Sequence, residues 1–259
     1  MPNRTRPPVW LWFNLLSLDA PLIALVWQDF LARCYPTMLR PTGRGALGLT
    51  VWAIYLADRL LDVRHPASAM ESIRHRFYRQ HRRVVVALLL FVMVADALVT
   101  TLWLRPAVFD NGLILVGGVI AYLAAFPFSG WSPTAWKKPL AAVLFTSGTF
   151  LIAWTGTGHP VIQLLWPAAA FCALCLGNLL MIEHWNRQFA SNGYNPPHFW
   201  ICLALLAACV VSARSSTWFA AIMVSAAALT ALSRWGRKTS CDVCCVLADA
   251  VLLTPLLFR

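Results

Sequence analysis

Asp58-Arg59-Leu60-Leu61-Asp62 closes the second apolar stretch of the chain and sets two carboxylates one helical turn apart. Residues at i and i+4 share a helix face, with Cβ atoms roughly 5 to 6 Å apart, so Asp58 and Asp62 can grip one divalent cation or a cluster of them. An ionised side chain near the bilayer interior costs about 2.5 to 3.5 kcal/mol on insertion scales, so a retained pair demands either a partner or a function. The plain alternative is ion pairing with Arg59, Arg64 or Arg74. A second polar helix end follows the sixth apolar stretch, where CALCLGNLLMI runs into Glu183-His184-Trp185-Asn186-Arg187. Glu183 is either a further metal ligand or the i,i+4 partner of Arg187, a pair that contributes only ~0.3 to 0.5 kcal/mol on a surface. Asn178 lies deeper, where an amide joins the ligand set or bonds between helices.

These residues must be carried by membrane helices. Hydrophobic residues make up 59% of the 259, charged residues 12%, and the mean hydropathy is +0.65. A soluble domain carries about 25% charged residues, so the composition specifies an all-α integral membrane protein. Nine apolar stretches are long enough, or nearly so, to cross a core of about 30 Å. They run Val9 to Phe30, Gly45 to Leu61, Val84 to Leu104, Gly112 to Phe128, Pro139 to Trp154, Val161 to Ile182, His198 to Ser212, Thr217 to Ser233 and Cys241 to Phe258. The seventh and eighth are short enough to form a re-entrant or tilted hairpin instead. The whole chain, 1–259, reads as a single polytopic domain, with helices 1–4 and 5–8 as a pseudo-repeat and a ninth helix added.

Charge orients the spans. With the N-terminus cytoplasmic, 14 of the 21 basic residues fall on inside segments and six on outside ones, Arg59 being the remainder. This follows the positive-inside rule, so the net charge of +11 is read as loops facing anionic headgroups. No nucleic-acid module is present. Four crossings separate DRLLD from Glu183, which places both polar helix ends on the cytoplasmic face. The most basic loop, Arg64 to Arg83, can cap a cavity there and hold phosphate oxygens, with Arg64 and Arg74 nearest the carboxylates. Lipid contact and topology also account for its charge.

The N-terminus is basic and then apolar, but no small-residue cleavage pattern precedes Gln28, so it is expected to be a retained first helix. With no targeting peptide recognised, the expected location is a bacterial inner membrane. Asp19, Asp96 and Asp249 lie within apolar stretches, and such acids usually face the bundle interior. They mark either a polar path or protonated acids bonded to neighbouring helices. The two CxxC pairs, Cys172/Cys175 and Cys241/Cys244, have no spacing that implies a metal site, and no disulfide framework is indicated. Trp residues cluster at segment ends as interfacial anchors.

Nine helices with one acidic motif ending the second and another ending the sixth resemble the UbiA superfamily of intramembrane prenyltransferases and related terpene cyclases. The resemblance covers nearly the whole chain in topology and only part of each motif. Against the family's NDxxDxxxD, Asp58 stands at the Asn, Arg59 at the first Asp, Asp62 at the second and Pro66 at the last. Against its DxxxD, often preceded by Asn, the chain offers Asn178 and Glu183, with Leu179 where a carboxylate is expected. The resemblance implies a UbiA-like bundle in which Asp58, Asp62 and Glu183 hold Mg²⁺. Arg59, Arg64 and Arg74 would bind an isoprenoid diphosphate, with Asn178 in the site. It implies prenyl transfer to a lipophilic or aromatic acceptor, or cyclisation of the prenyl chain. The altered motifs equally suit a non-catalytic relative that binds a lipid or quinone, or a transporter. GxxxxGK[ST], HExxH and a Ser-centred elbow are absent, which argues against ATPase, zincin and hydrolase chemistry.

Overall fold

The structure is a computed structural model that describes residues 11–35, 37–63, 73–128, 134–156, 161–188, 202–203, 206–207, 217–235 and 240–258. Ten α-helices are named here: α1 (Trp12–Leu15), α2 (Asp19–Cys34), α3 (Pro41–Asp62), α4 (Ile73–Gln80), α5 (Arg82–Trp103), α6 (Pro106–Phe128), α7 (Thr134–Gly156), α8 (Val161–Gln188), α9 (Thr217–Trp235) and α10 (Cys241–Val251). A 3-10 turn at Thr254–Phe258 follows, and no strand occurs among the described residues. Five stretches are long and apolar enough to cross a membrane: Arg82–Trp103, Pro106–Ala125, Trp136–Gly156, Ile162–Trp185 and Cys241–Phe258. That is the signature of a helical integral membrane protein. The sequence expectation of nine spans is therefore met only in this coarser form, and most of the seventh stretch, His198 to Ser212, lies outside the described residues.

The side chains that face outward explain why the bundle needs lipid. On α5 and α6, Leu90, Phe91, Val94, Leu98, Ile114 and Ile120 are all exposed. Such a continuous apolar surface is costly in water and ordinary against acyl chains, where helices associate by close packing and interhelical hydrogen bonds. The interior is aromatic. Trp27, Phe30, Phe150, Phe171 and Trp218 form one cluster, with Trp27 and Trp218 ring centroids 5.0 Å apart and Phe30 stacked on Trp218 at 5.6 Å.

The first expected helix, Val9 to Phe30, is broken. Ser17 takes φ 53°, a left-handed conformation that a non-glycine residue adopts at some cost, and it separates α1 from α2. The polar groups exposed by the break find partners. Trp52 Nε1 donates to the Leu16 carbonyl at 2.9 Å, and Ser17 Oγ lies 2.8 Å from the Tyr78 hydroxyl of α4. Irregular backbone at depth is tolerated where protein covers it in this way. The break brings Asn14 and Asp19 within hydrogen-bond distance of each other.

Two other helices run further than the apolar pattern suggests. α7 starts at Thr134, five residues before Pro139, and so carries Lys137 and Lys138 on the helix. α8 is 28 residues long, about 42 Å at 1.5 Å per residue, and continues past Ile182 to hold Glu183 on the helix. Both extensions place charge at the end of the bundle where α3 finishes.

Candidate functional site

The DRLLD carboxylates share one ammonium. Lys137 Nζ lies 2.7 Å from Asp62 Oδ1 and 3.3 Å from Asp58 Oδ1. Tyr122 of α6 donates to Asp58 Oδ1 at 3.3 Å, and Arg59 Nη1 is 3.8 Å from Asp62 Oδ2. The next residue, Lys138, lies 2.6 Å from Glu183 Oε2. Thus the two polar helix ends, on α3 and α8, meet consecutive lysines at the start of α7. Attraction between unit charges 4 Å apart is about 4 kcal/mol at an effective dielectric of about 20, enough to hold partly buried side chains in this register.

A second polar cluster lies beneath, inside the bundle. Asn14 Nδ2 donates to Asp19 Oδ2 at 2.8 Å and reaches Asp249 Oδ2 at 3.5 Å, while Asn178 Nδ2 donates to Asp249 Oδ1 at 3.0 Å. Asp19 and Asp249 thus meet around the Asn14 amide. Arg74 of α4 donates to Asn14 Oδ1 at 3.4 Å. Its Nε is buried and has no hydrogen-bond partner among the described residues. Burial and the neighbouring Arg59 guanidinium lower the Arg74 pKa from its ordinary value. Burial likewise raises that of Tyr78.

The structure therefore brings Asp58, Asp62 and Glu183 to the lysines, and Asn178 and Arg74 to the inner cluster, with Arg59 between the two. Arg64 and Pro66 lie outside the described residues, as does the side chain of Arg187. Of the three acids within apolar stretches, Asp19 and Asp249 meet, whereas Asp96 takes a different partner, accepting from Thr50 at 2.8 Å. Sequence reasoning treated Lys137 and Lys138 as topological charge. Pro139 points to a helix that starts there, so the sequence carried no signal that the lysines belong to α7. Asn14 had no signal, because only the break at Ser17 gives it a role.

Two carboxylates a turn apart are the donor type that Mg²⁺ takes, yet here they do not fit it. Lys137 stands between them where a divalent ion would need both oxygens, and Lys138 engages the third carboxylate. No group of three or more His, Cys, Asp or Glu side chains among the described residues is arranged to hold a metal. These carboxylates meet cations because α7 begins early enough to supply them.

Compared with family models, curated proteins and solved structures, the chain matches none of them. The functional reading thus rests on this geometry. Two small recesses lie at the opposite end of the bundle. The recess lined by Gln28, Leu31, Thr37, Leu39, Thr149 and Ile152 has room for about one water molecule.

Proposed function

We propose that the protein is a UbiA-like intramembrane enzyme acting on an isoprenoid diphosphate, with prenyl transfer to a lipophilic acceptor or cyclisation as the outcome. In this reading the bundle has nine spans with its N-terminus in the cytoplasm of a bacterial cell. The observation that carries it is the pair Arg59 and Arg74. Arg59 stands beside Asp62 at the end of α3 and influences Arg74, which bonds to Asn14 in the inner cluster and keeps a buried Nε without a described partner.

Like charges held together in a partly desolvated place favour a polyanion between them. Arg59 and Arg74 would bind diphosphate oxygens and stabilise the charge that grows as the C–O bond breaks. Preorganised donors at such a position are often the largest single contribution to a rate. Asp58 and Asp62 hold Lys137 and orient Arg59, so the acids would act as positioning residues. The resulting allylic cation would be captured by the acceptor or by the prenyl chain itself.

The test is release of pyrophosphate from geranyl, farnesyl and geranylgeranyl diphosphates by the protein in detergent, with a lipid extract as acceptor. Release that is lost in Arg74→Ala and Asp62→Ala is expected. No release from any of the three by folded protein overturns the reading. It would favour the second one, a non-catalytic lipid- or quinone-binding protein or a transporter, which is supported by the lysines that fill the space between the acidic helix ends.

A further inference from the structure

We propose that Lys137 is the resident cation of the Asp58–Asp62 pair, so that this site is complete without a divalent metal. The inference deepens the reading above and rests on it only for the substrate; the cation itself is argued from the contacts.

An ammonium has three donors, and Lys137 directs one at each carboxylate, 2.7 Å from Asp62 and 3.3 Å from Asp58. Tyr122 also donates to the same Asp58 oxygen, and the Arg59 guanidinium lies 3.8 Å from Asp62 Oδ2. Mg²⁺ demands near-octahedral oxygen ligands at about 2.0 to 2.1 Å and gives up its waters reluctantly. It cannot bridge the two Oδ1 atoms without first expelling the ammonium, and the third carboxylate, Glu183, has its own lysine at 2.6 Å. Lys137 owes its position to the turn of α7 that precedes Pro139, and α7 packs against both α3 and α6. The cation is thus built into the fold rather than recruited. Two functional differences follow: a chelator cannot remove it, and it supplies one positive charge where a divalent ion supplies two.

Mn²⁺ titration of the purified full chain in detergent, read by electron paramagnetic resonance, tests this directly. Wild-type protein is expected to show no saturable site, and its melting temperature should not change on adding EDTA or Mg²⁺. Lys137→Met, which keeps the length of the stem and removes the charge, should gain one saturable Mn²⁺ site per chain. Adding Asp62→Asn to that variant should abolish the site. A saturable site in wild-type protein that Asp62→Asn removes would overturn the proposal, as would a folded Lys137→Met variant that binds no Mn²⁺. The wild-type titration is decisive even where Lys137→Met does not fold. Pyrophosphate release that continues in EDTA supports the inference; release that EDTA abolishes overturns it and leaves the proposed activity standing. Absence of release under either condition overturns the activity, while the Mn²⁺ titration still decides the role of Lys137.

Discussion

Asn178 of α8 donates to Asp249 of α10 across 3.0 Å, and this bond joins two helices at positions separated by 71 residues of chain. The amide therefore serves the inner cluster, where Asp249 also meets Asn14 and Asp19. Asparagine at this position keeps an oxygen that can accept from Asn178 and adds an amide that can donate.

Asp249→Asn is accordingly expected to change stability by less than about 1 kcal/mol, because its oxygen can accept from Asn178 and its amide can donate to Asp19. Asp249→Ala leaves Asn178 and Asp19 without that partner and should cost about 1 to 3 kcal/mol. Unfolding in detergent, followed by circular dichroism against a denaturing surfactant, separates the two. Equal losses in both variants would mean that a negative charge at Asp249 is required.

The link between Ser17 and Tyr78 gives a second prediction, about how α4 is held over the site. Tyr78 is 1% exposed, and its hydroxyl is 2.8 Å from the side chain of a residue at φ 53°. Tyr78→Phe should cost about 0.5 to 1.5 kcal/mol, the usual net contribution of one hydrogen bond. Ser17→Gly removes the same bond and also relieves a left-handed backbone at a non-glycine residue, which offsets part of the loss. It should therefore be the milder substitution, and the double variant should be little worse than Tyr78→Phe alone. Melting temperatures of the three variants decide it; a larger loss in Ser17→Gly would show that the serine hydroxyl has a further role at the break.

Much of the architecture could be read from the sequence because lipid imposes a simple rule. Runs such as Arg82–Trp103 must satisfy their backbone internally and so form helices. The common face of DRLLD and Glu183 was legible for a related reason, since an even number of crossings separates them. What the pattern concealed were departures from regularity. Val9 to Phe30 reads as one apolar helix, and the tertiary bonds of Leu16 and Ser17 offset the cost of its break. The starts of helices were hidden as well, because Lys137 and Lys138 look like loop charge until α7 is seen to extend through them. The ion pairs of Asp58 and Asp62 with Lys137 depend on that extension. A carboxylate pair has the same spacing whether a metal or an ammonium answers it.

Trp218 offers the sharpest test of how the bundle coheres away from the site. It is fully buried, it touches Trp27, Phe30, Phe150 and Phe171, and its Nε1 donates to the Pro167 carbonyl of α8 at 3.3 Å. Aromatic pairs at centroid separations of 4.5 to 7 Å contribute about 0.5 to 1.5 kcal/mol each beyond their buried area. In a membrane, where lipid removes much of the hydrophobic drive for helix association, this packing carries a larger share of stability. Trp218→Phe keeps a ring and loses the hydrogen bond, so a loss near 1 kcal/mol is expected. Trp218→Ala also opens a cavity between α2, α7 and α8, and should cost about 3 to 5 kcal/mol. The measurement is surfactant unfolding of both variants alongside wild-type protein. Similar losses in the two would place the stabilisation in the Pro167 hydrogen bond, and a small loss in Trp218→Ala would mean that this cluster does not hold the helices together.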